Sequence, residues 1–368
     1  MAPRLSDYMG RDGKAKPADY KSESKEADLK ESRLLKEEPP KEGKKMRLER
    51  LAELMQEAEA DKDAAQKLYE EAMLLVKEAL EKAREAQDSI INEERFAEIV
   101  KEIINRLTSD SQVMLSLSNK ESLKDNYLYA HSVNVCILAV KVGIGLCYDK
   151  IHLTELGIAA LLHDIGMAKI PKEIVEKPGK LNAEEHSEVK QHCTCGVEIL
   201  IKASDIGKAV VDSIQQHHER IDGSGYPKEL KDTEISEYAK IIGLVDIYEA
   251  LTHSRIYRKK KHSPDEAMKM LADLHGHSFK AQIAKVLIAL IKEISLYPMG
   301  SIVELNTGEI GRVIRINKDF LSRPVVNIRV DPNGNKLKEV KEINLVEEPL
   351  LYIRRAIDNS EIDIKLSV

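Results

Sequence analysis

Five histidines and two aspartates between residues 131 and 246 are the part of this 368-residue chain best suited to chemistry. They are His131, the adjacent pair His163–Asp164, His192, the adjacent pair His217–His218, and Asp246. Imidazole and carboxylate are ligand types that suit iron, manganese, zinc or nickel. Seven such donors exceed what one tetrahedral ion needs and match two ions sharing a carboxylate. Neighbouring residues on a helix point about 100° apart, so His163 and Asp164 can serve one centre only where their helix is ending. Gly166 and Pro171 place that end just after the pair. An aspartate set between two ions resolves the geometry, because each of its oxygens can meet one metal.

Taken singly, each residue is ordinary. A lone histidine such as His131 on an apolar face is usually a satisfied core residue. An H-D dipeptide arises by chance, and an isolated Asp246 would serve as a helix cap or an ion-pair partner. The joint pattern carries the weight, together with three flanking segments. These are H-D-I-G-M-A-K-I-P (His163 to Pro171), H-H-E-R-I-D-G-S-G-Y-P (His217 to Pro227) and D-I-Y-E-A-L-T-H-S-R-I-Y-R (Asp246 to Arg258). On these segments the chain resembles the HD-GYP family, metal-dependent phosphodiesterases that act on cyclic di-GMP, within the HD phosphohydrolase superfamily. The resemblance spans roughly residues 105–297.

What the resemblance implies is specific. Asp164 would bridge two divalent ions, iron or manganese, with His163 and Asp246 on one ion and His131 completing or supporting that set. His192, His217 and His218 would hold the other. A hydroxide bridging the metals would attack phosphorus in line, with Asp164 and His163 as the catalytic pair, giving pGpG and in a further step GMP. Arg255 and Arg258 would clamp substrate phosphates. Tyr226 would stack on guanine or close its own loop. Diguanylate cyclases are the protein partners such an enzyme suggests. Two positions depart from the pattern. Relatives usually carry lysine directly after H-D-I-G, where this chain has Met167. Some carry a glutamate that helps bind a third metal where this chain has Tyr127, so two ions are expected. Met167 keeps a second reading open, a cyclic-dinucleotide receptor that scarcely turns over and signals through its helical N-terminus.

Composition limits the alternatives. With 57 basic and 63 acidic residues the formal net charge is -6, which argues against a nucleic-acid polymer as ligand. Hydrophobic residues make up 42% and aromatics 4%, with no tryptophan, so the core must be aliphatic. Four cysteines form no secreted disulfide framework and fit a reducing compartment. Cys193-Thr-Cys195 adjoins His192 but lacks C-x-x-C spacing, which favours packed or idle thiols. The longest uninterrupted apolar run, Val286 to Ile291, falls far short of the ~18 residues that cross a bilayer. The first residues have no signal-peptide core. A cytoplasmic protein without a membrane segment is expected.

The elements that must position these residues read as mainly α. Residues 1–45 are lysine- and glutamate-rich and are expected to be disordered. Residues 46–104 begin with a stretch free of proline and glycine to Ile91. There Leu51, Ala58, Ala65, Ala72, Ala79 and Ala86 recur every seven residues. This small-residue seam fits a coiled coil that forms a homodimer, or a single helix lying on its own catalytic domain. Residues 105–298 read as the helical HD-type domain. Residues 299–350 hold short β-rich runs split by turn residues, a small antiparallel sheet or barrel, and 351–368 read as a tail.

Overall fold

The structure is a computed structural model, and it describes residues 41–85, 91–109, 111–118, 126–203, 206–253, 261–274, 281–294, 296–317 and 320–357. Residues 1–40 of the segment expected to be disordered, Ala86 of the seam, Arg255, Arg258 and the last eleven residues lie outside the described residues, while residues 41–45 of that segment are helical instead. The chain divides into two compact units, Met1–Asp61 and Lys62–Val368.

Helix α1 (Lys41–Arg84) carries the heptad seam, and within the second unit that seam is already covered. Ala65, Ala72 and Ala79, with Leu68, Tyr69, Leu75, Val76, Leu80 and Ala83, are buried in the core cluster that also holds the helical domain's residues. Small side chains at a seven-residue spacing therefore let α1 approach its own chain closely. This is the intramolecular reading of the seam between Ala65 and Ala83.

Helix α2 (Glu93–Ser109) buries Phe96, Val100, Ile103, Ile104 and Leu107, one apolar stripe of a strongly amphipathic helix. A short α3 (Ser111–Ser118) leads to α4 (Tyr127–Gly145), which is buried continuously from Ala130 to Gly143. In length and apolar character α4 would pass for a membrane span, but 72% of its apolar window is inside the protein. It is the central helix of the domain, packed against α5 (Lys150–Leu162), α10 (Glu237–Thr252) and α12 (Ala281–Ile294). Asp149 caps α5 by accepting from the backbone N–H of Ile151 and His152. Helices α6 (Lys172–Val175), α7 (Ala183–Lys190), α8 (His192–Ala203) and α9 (Lys208–Gln216) follow, and α11 (Pro264–Leu274) packs on α10.

The C-terminal sheet has five antiparallel strands, β1 (Ile302–Leu305), β2 (Ile310–Arg315), β3 (Val325–Val330), β4 (Lys336–Asn344) and β5 (Ile353–Ile357), in the order β4-β3-β2-β1-β5. Val303, Leu305, Val313, Val326, Ile328 and Ile343 form its own apolar cluster. Gly308, at φ +89°, makes the tight β1–β2 turn that a side chain would strain. The fifth strand lies in residues that the sequence assigns to a tail. Its alternation is weak because Arg354 and Arg355 are exposed and pair with Glu304 on β1. Cross-strand pairing supplies what hydrophobic patterning does not show.

Candidate metal centre

All seven sequence-nominated donors come from five helices or their ends. His131 lies inside α4 and Asp246 inside α10. His163 caps α5 with helical backbone angles, and Asp164 then turns into a short 3-10 segment, Ile165–Lys169. The helix does end there, which lets both side chains face one place. His192 opens α8, while His217 and His218 follow the last turn of α9.

Two glycines let these segments meet. A Cβ on Gly166 would sit 1.8 Å from the His192 carbonyl oxygen, so the H-D-I-G turn lies directly on the start of α8. A Cβ on Gly243 would sit 2.2 Å from the His217 carbonyl oxygen, where α10 crosses the end of α9. No side chain fits at either contact.

The imidazoles are oriented by their Nδ1 atoms. His163, His192 and His217 donate Nδ1–H to the carbonyls of Ala160, Val189 and Ile214, three residues upstream in each case, at 2.8, 2.6 and 2.7 Å. His131 Nδ1 lies 2.7 Å from Glu249 Oε2. Each Nε2 is thereby aimed at the centre. Among these, His163 Nε2 is buried without a hydrogen-bond partner, an orphaned polar atom of the kind a bound ion would satisfy.

Asp164 stands between two groups of rings. Its Oδ1 is 3.4 Å from His192 Nε2 and 4.0 Å from His217 Nε2. Its Oδ2 is 3.5 Å from His163 Nε2 and 3.8 Å from His131 Nε2. Asp246 Oδ1 joins the second group, 3.1 Å from His131 Nε2. His192 and His217 approach within 3.2 Å at Nε2, and the His218 ring lies 4.2 Å from that of His217. The donor set therefore fits divalent ions. His131, His163 and Asp164 form one candidate group, and His192, His217, His218 and Cys193 form the other.

The electrostatics of the groups differ. Burial pushes His217 and His218 well below the usual histidine range, and neighbouring imidazoles push the same way, so both are neutral ligands at neutral pH. Burial also disfavours charge on His131, but Glu249 and Asp246 outweigh it and raise His131 well above its usual value. Asp246 is opposed by burial too, yet its hydrogen bond to His131 and the nearby imidazoles hold it below the carboxylate range.

Several residues escaped the sequence argument. Glu249 is buried, and its Oε1 accepts from Asn134 Nδ2 at 3.1 Å while Oε2 holds His131. Tyr69 on α1 donates to Asn134 Oδ1 at 2.8 Å. A buried chain of hydrogen bonds thus runs from α1 to a ligand. Glu249 lies three residues after Asp246 on the same helix face, a spacing that could have signalled it. Nothing in the sequence connects Tyr69 to this site. Cys193 is fully buried beside His192, its thiol pushed up by burial and then by Asp164, Glu219 and Asp246.

Of the remaining nominated positions, Tyr226 stacks on His218 with centroids 4.7 Å apart, which positions a ligand as well as the loop. Glu219 fixes that loop by accepting from the N–H groups of Lys228 and Leu230 at 2.7 and 2.9 Å. Tyr127 stacks parallel to the His131 ring at 6.0 Å. Met167 is half-buried and Lys169 exposed. His253, outside the nominated set, is buried and donates to the Ser118 carbonyl at 2.7 Å.

Parts of this chain are similar to known proteins. The family described as HD domain matches residues 114–283, and the family described as KOW domain associated with HD domain matches residues 302–365. A cyclic di-GMP phosphodiesterase of Pseudomonas aeruginosa is 35% identical over 232 residues, which covers 63% of this chain and 55% of that protein. A cyclic di-GMP phosphodiesterase of Borreliella burgdorferi is 30% identical over 244 residues, covering 66% of this chain and 63% of that one. The chain thus spans less than two thirds of either relative. The fold of an HDG"Y"P protein from Bdellovibrio bacteriovorus is similar, with a TM-score of 0.50 and 23% identity across 62% of this chain and 71% of that one. With its paired H-D turn, its G-Y-P loop and the domain match around them, this chain is similar to the HD domain family across residues 114–283.

Proposed function

We propose that this protein is a metal-dependent phosphodiesterase that linearises cyclic di-GMP to pGpG, and onward to GMP, at a dinuclear site. The observation that carries this reading is the placement of Asp164, whose two oxygens each face a separate set of imidazoles. When bound, two divalent cations supply Lewis acidity that makes a water nucleophilic near neutral pH and offsets phosphate charge. The chain's own part is to fix the ligands. Asp164 sets the spacing of the halves, and the Nδ1 bonds lock each ring with Nε2 inward. Lys190 Nζ lies 5.1 Å from the centroid of the Tyr226 ring, which itself covers His218. That ammonium offers a positive charge to a substrate phosphate on the Tyr226 side of the site.

The test is elemental analysis of anaerobically purified protein, with cyclic di-GMP turnover followed chromatographically in the same sample. Two ions per chain, iron or manganese, with release of pGpG are the expected result. Turnover that persists at full rate in protein stripped of metal overturns the reading. Tight cyclic di-GMP binding without turnover, together with gain of turnover in Met167→Lys, instead supports a receptor, the reading that the Met167 departure favours.

A further inference from the structure

The half of the site formed by His192, His217 and His218 contains a fourth donor, Cys193. Cys193 Sγ lies 3.5 Å from His192 Nε2, and the ligand atoms of His192, Cys193, His217 and His218 all fall within 4.8 Å of one another. We propose that Cys193 is a metal ligand, a thiolate that joins the three imidazoles on this ion. The proposal rests on the metal-centre reading above and adds to it a sulfur donor.

The distances fit coordination. With metal–nitrogen bonds near 2.05 Å and a metal–sulfur bond near 2.3 Å, ligand angles between about 90° and the tetrahedral angle, which leave room for Asp164, put two nitrogens about 2.9–3.3 Å apart and nitrogen and sulfur about 3.1–3.6 Å apart. The corresponding separations here are 3.2 Å for His192 Nε2 to His217 Nε2 and 3.5 Å for His192 Nε2 to Cys193 Sγ.

The rival account is a simple S–H···N hydrogen bond from Cys193 to His192. His192 Nδ1 already donates to the Val189 carbonyl, so Nε2 carries the ring's only lone pair. An S–H bond to that atom would take it from the ion, and His217 and His218 would converge on a ligand unable to bind. Coordination of sulfur removes the conflict, since the thiol gives its proton to solvent as the metal–sulfur bond forms and His192 keeps its lone pair for the same ion. Cys193 is fully buried and Cys195 only partly. Two residues further along α8, Cys195 points about 200° around the helix and away from the centre.

A thiolate has a consequence for metal choice. Soft sulfur donors select zinc, iron or cobalt over manganese and magnesium. This half of the site therefore discriminates between ions more strongly than the oxygen-rich half around Asp246.

The test uses the full chain loaded with cobalt(II), with ion content and near-ultraviolet absorption measured on the same sample. Wild type and Cys195→Ser are expected to show a thiolate-to-cobalt charge-transfer band, and Cys193→Ser to lose it while still binding cobalt. X-ray absorption of the zinc-loaded wild type adds a measurement that needs no variant, with a sulfur shell expected at about 2.3 Å. Protein carrying its ions with no charge-transfer band and only nitrogen and oxygen neighbours overturns the role of Cys193, and so does a band that survives in Cys193→Ser. Protein that binds no ion at all overturns the metal-centre reading instead, and the ion count distinguishes the two failures.

Discussion

His131 and His217 are both buried, and both direct Nε2 toward the same aspartate. Around His131 the neighbours are carboxylates, with Asp246 at 3.1 Å and Glu249 at 2.7 Å. Around His217 they are other imidazoles and a carbonyl. The first ring is drawn toward its protonated form and the second is held neutral. Identical residue types at one centre thus compete with protons in opposite ways. Burial alone does not set a ligand's readiness for metal; the charge of the group behind it does.

Breaking the element common to both halves should have the largest effect. Asp164→Asn removes the negative charge of a carboxylate whose two oxygens face both groups of rings. Loss of a partner from a buried charge cluster costs roughly 3–5 kcal/mol. Both ions should therefore weaken at least about a hundredfold. Elemental analysis after dialysis checks this, and retention of one full equivalent would show that the halves do not share Asp164.

Glu249→Gln should separate the halves. It keeps a polar side chain against His131 but removes the charge, and changes of this kind behind a ligand typically cost about 10–100-fold in metal affinity. One ion should weaken by that factor, while the His192–His217–His218 ion keeps its wild-type affinity in chelator competition. Equal weakening of both would remove the distinction between the halves.

Acid should separate them as well. His131 has a raised folded-state value, so protons occupy it above pH 6.5 and the affinity of its half keeps rising as pH climbs past neutrality. His217 and His218 have depressed values, so protons compete for those two rings only well below pH 6.5. In Cys193→Ser, where no thiol competes for protons, the ion near His131 should leave first on acidification, as counted by equilibrium dialysis between about pH 5.5 and 8.5. Simultaneous release would contradict the assignment.

The smallest effect is expected from Tyr69→Phe. It leaves Asn134 Oδ1 without its donor and costs about 1–3 kcal/mol of folding stability. Because Tyr69 acts on His131 through two further side chains, the affinity of that half should fall only a few-fold. Thermal denaturation with chelator competition separates the two contributions. A loss as large as that of Glu249→Gln would give α1 a direct hold on the site.

By itself, the sequence determined the donor types, their order and the helical class. Those follow from local properties: apolar periodicity, glycine and proline at helix ends, and motif spacing. It also located the C-terminal strands up to Val330, but neither Lys336–Asn344, which is mostly exposed, nor Ile353–Ile357, which is tied to β1 by an ion pair across strands. Only the tertiary structure decided which partner the seam at Ala65, Ala72 and Ala79 meets, because a heptad shows that a face is apolar and not what covers it. Likewise the two directions of the Asp164 oxygens, the Tyr69–Asn134–Glu249 chain and the turn of Cys193 toward His217 depend on contacts between residues up to 118 positions apart. Those contacts form because Gly166 and Gly243 let backbones touch, a steric fact that residue order alone does not show.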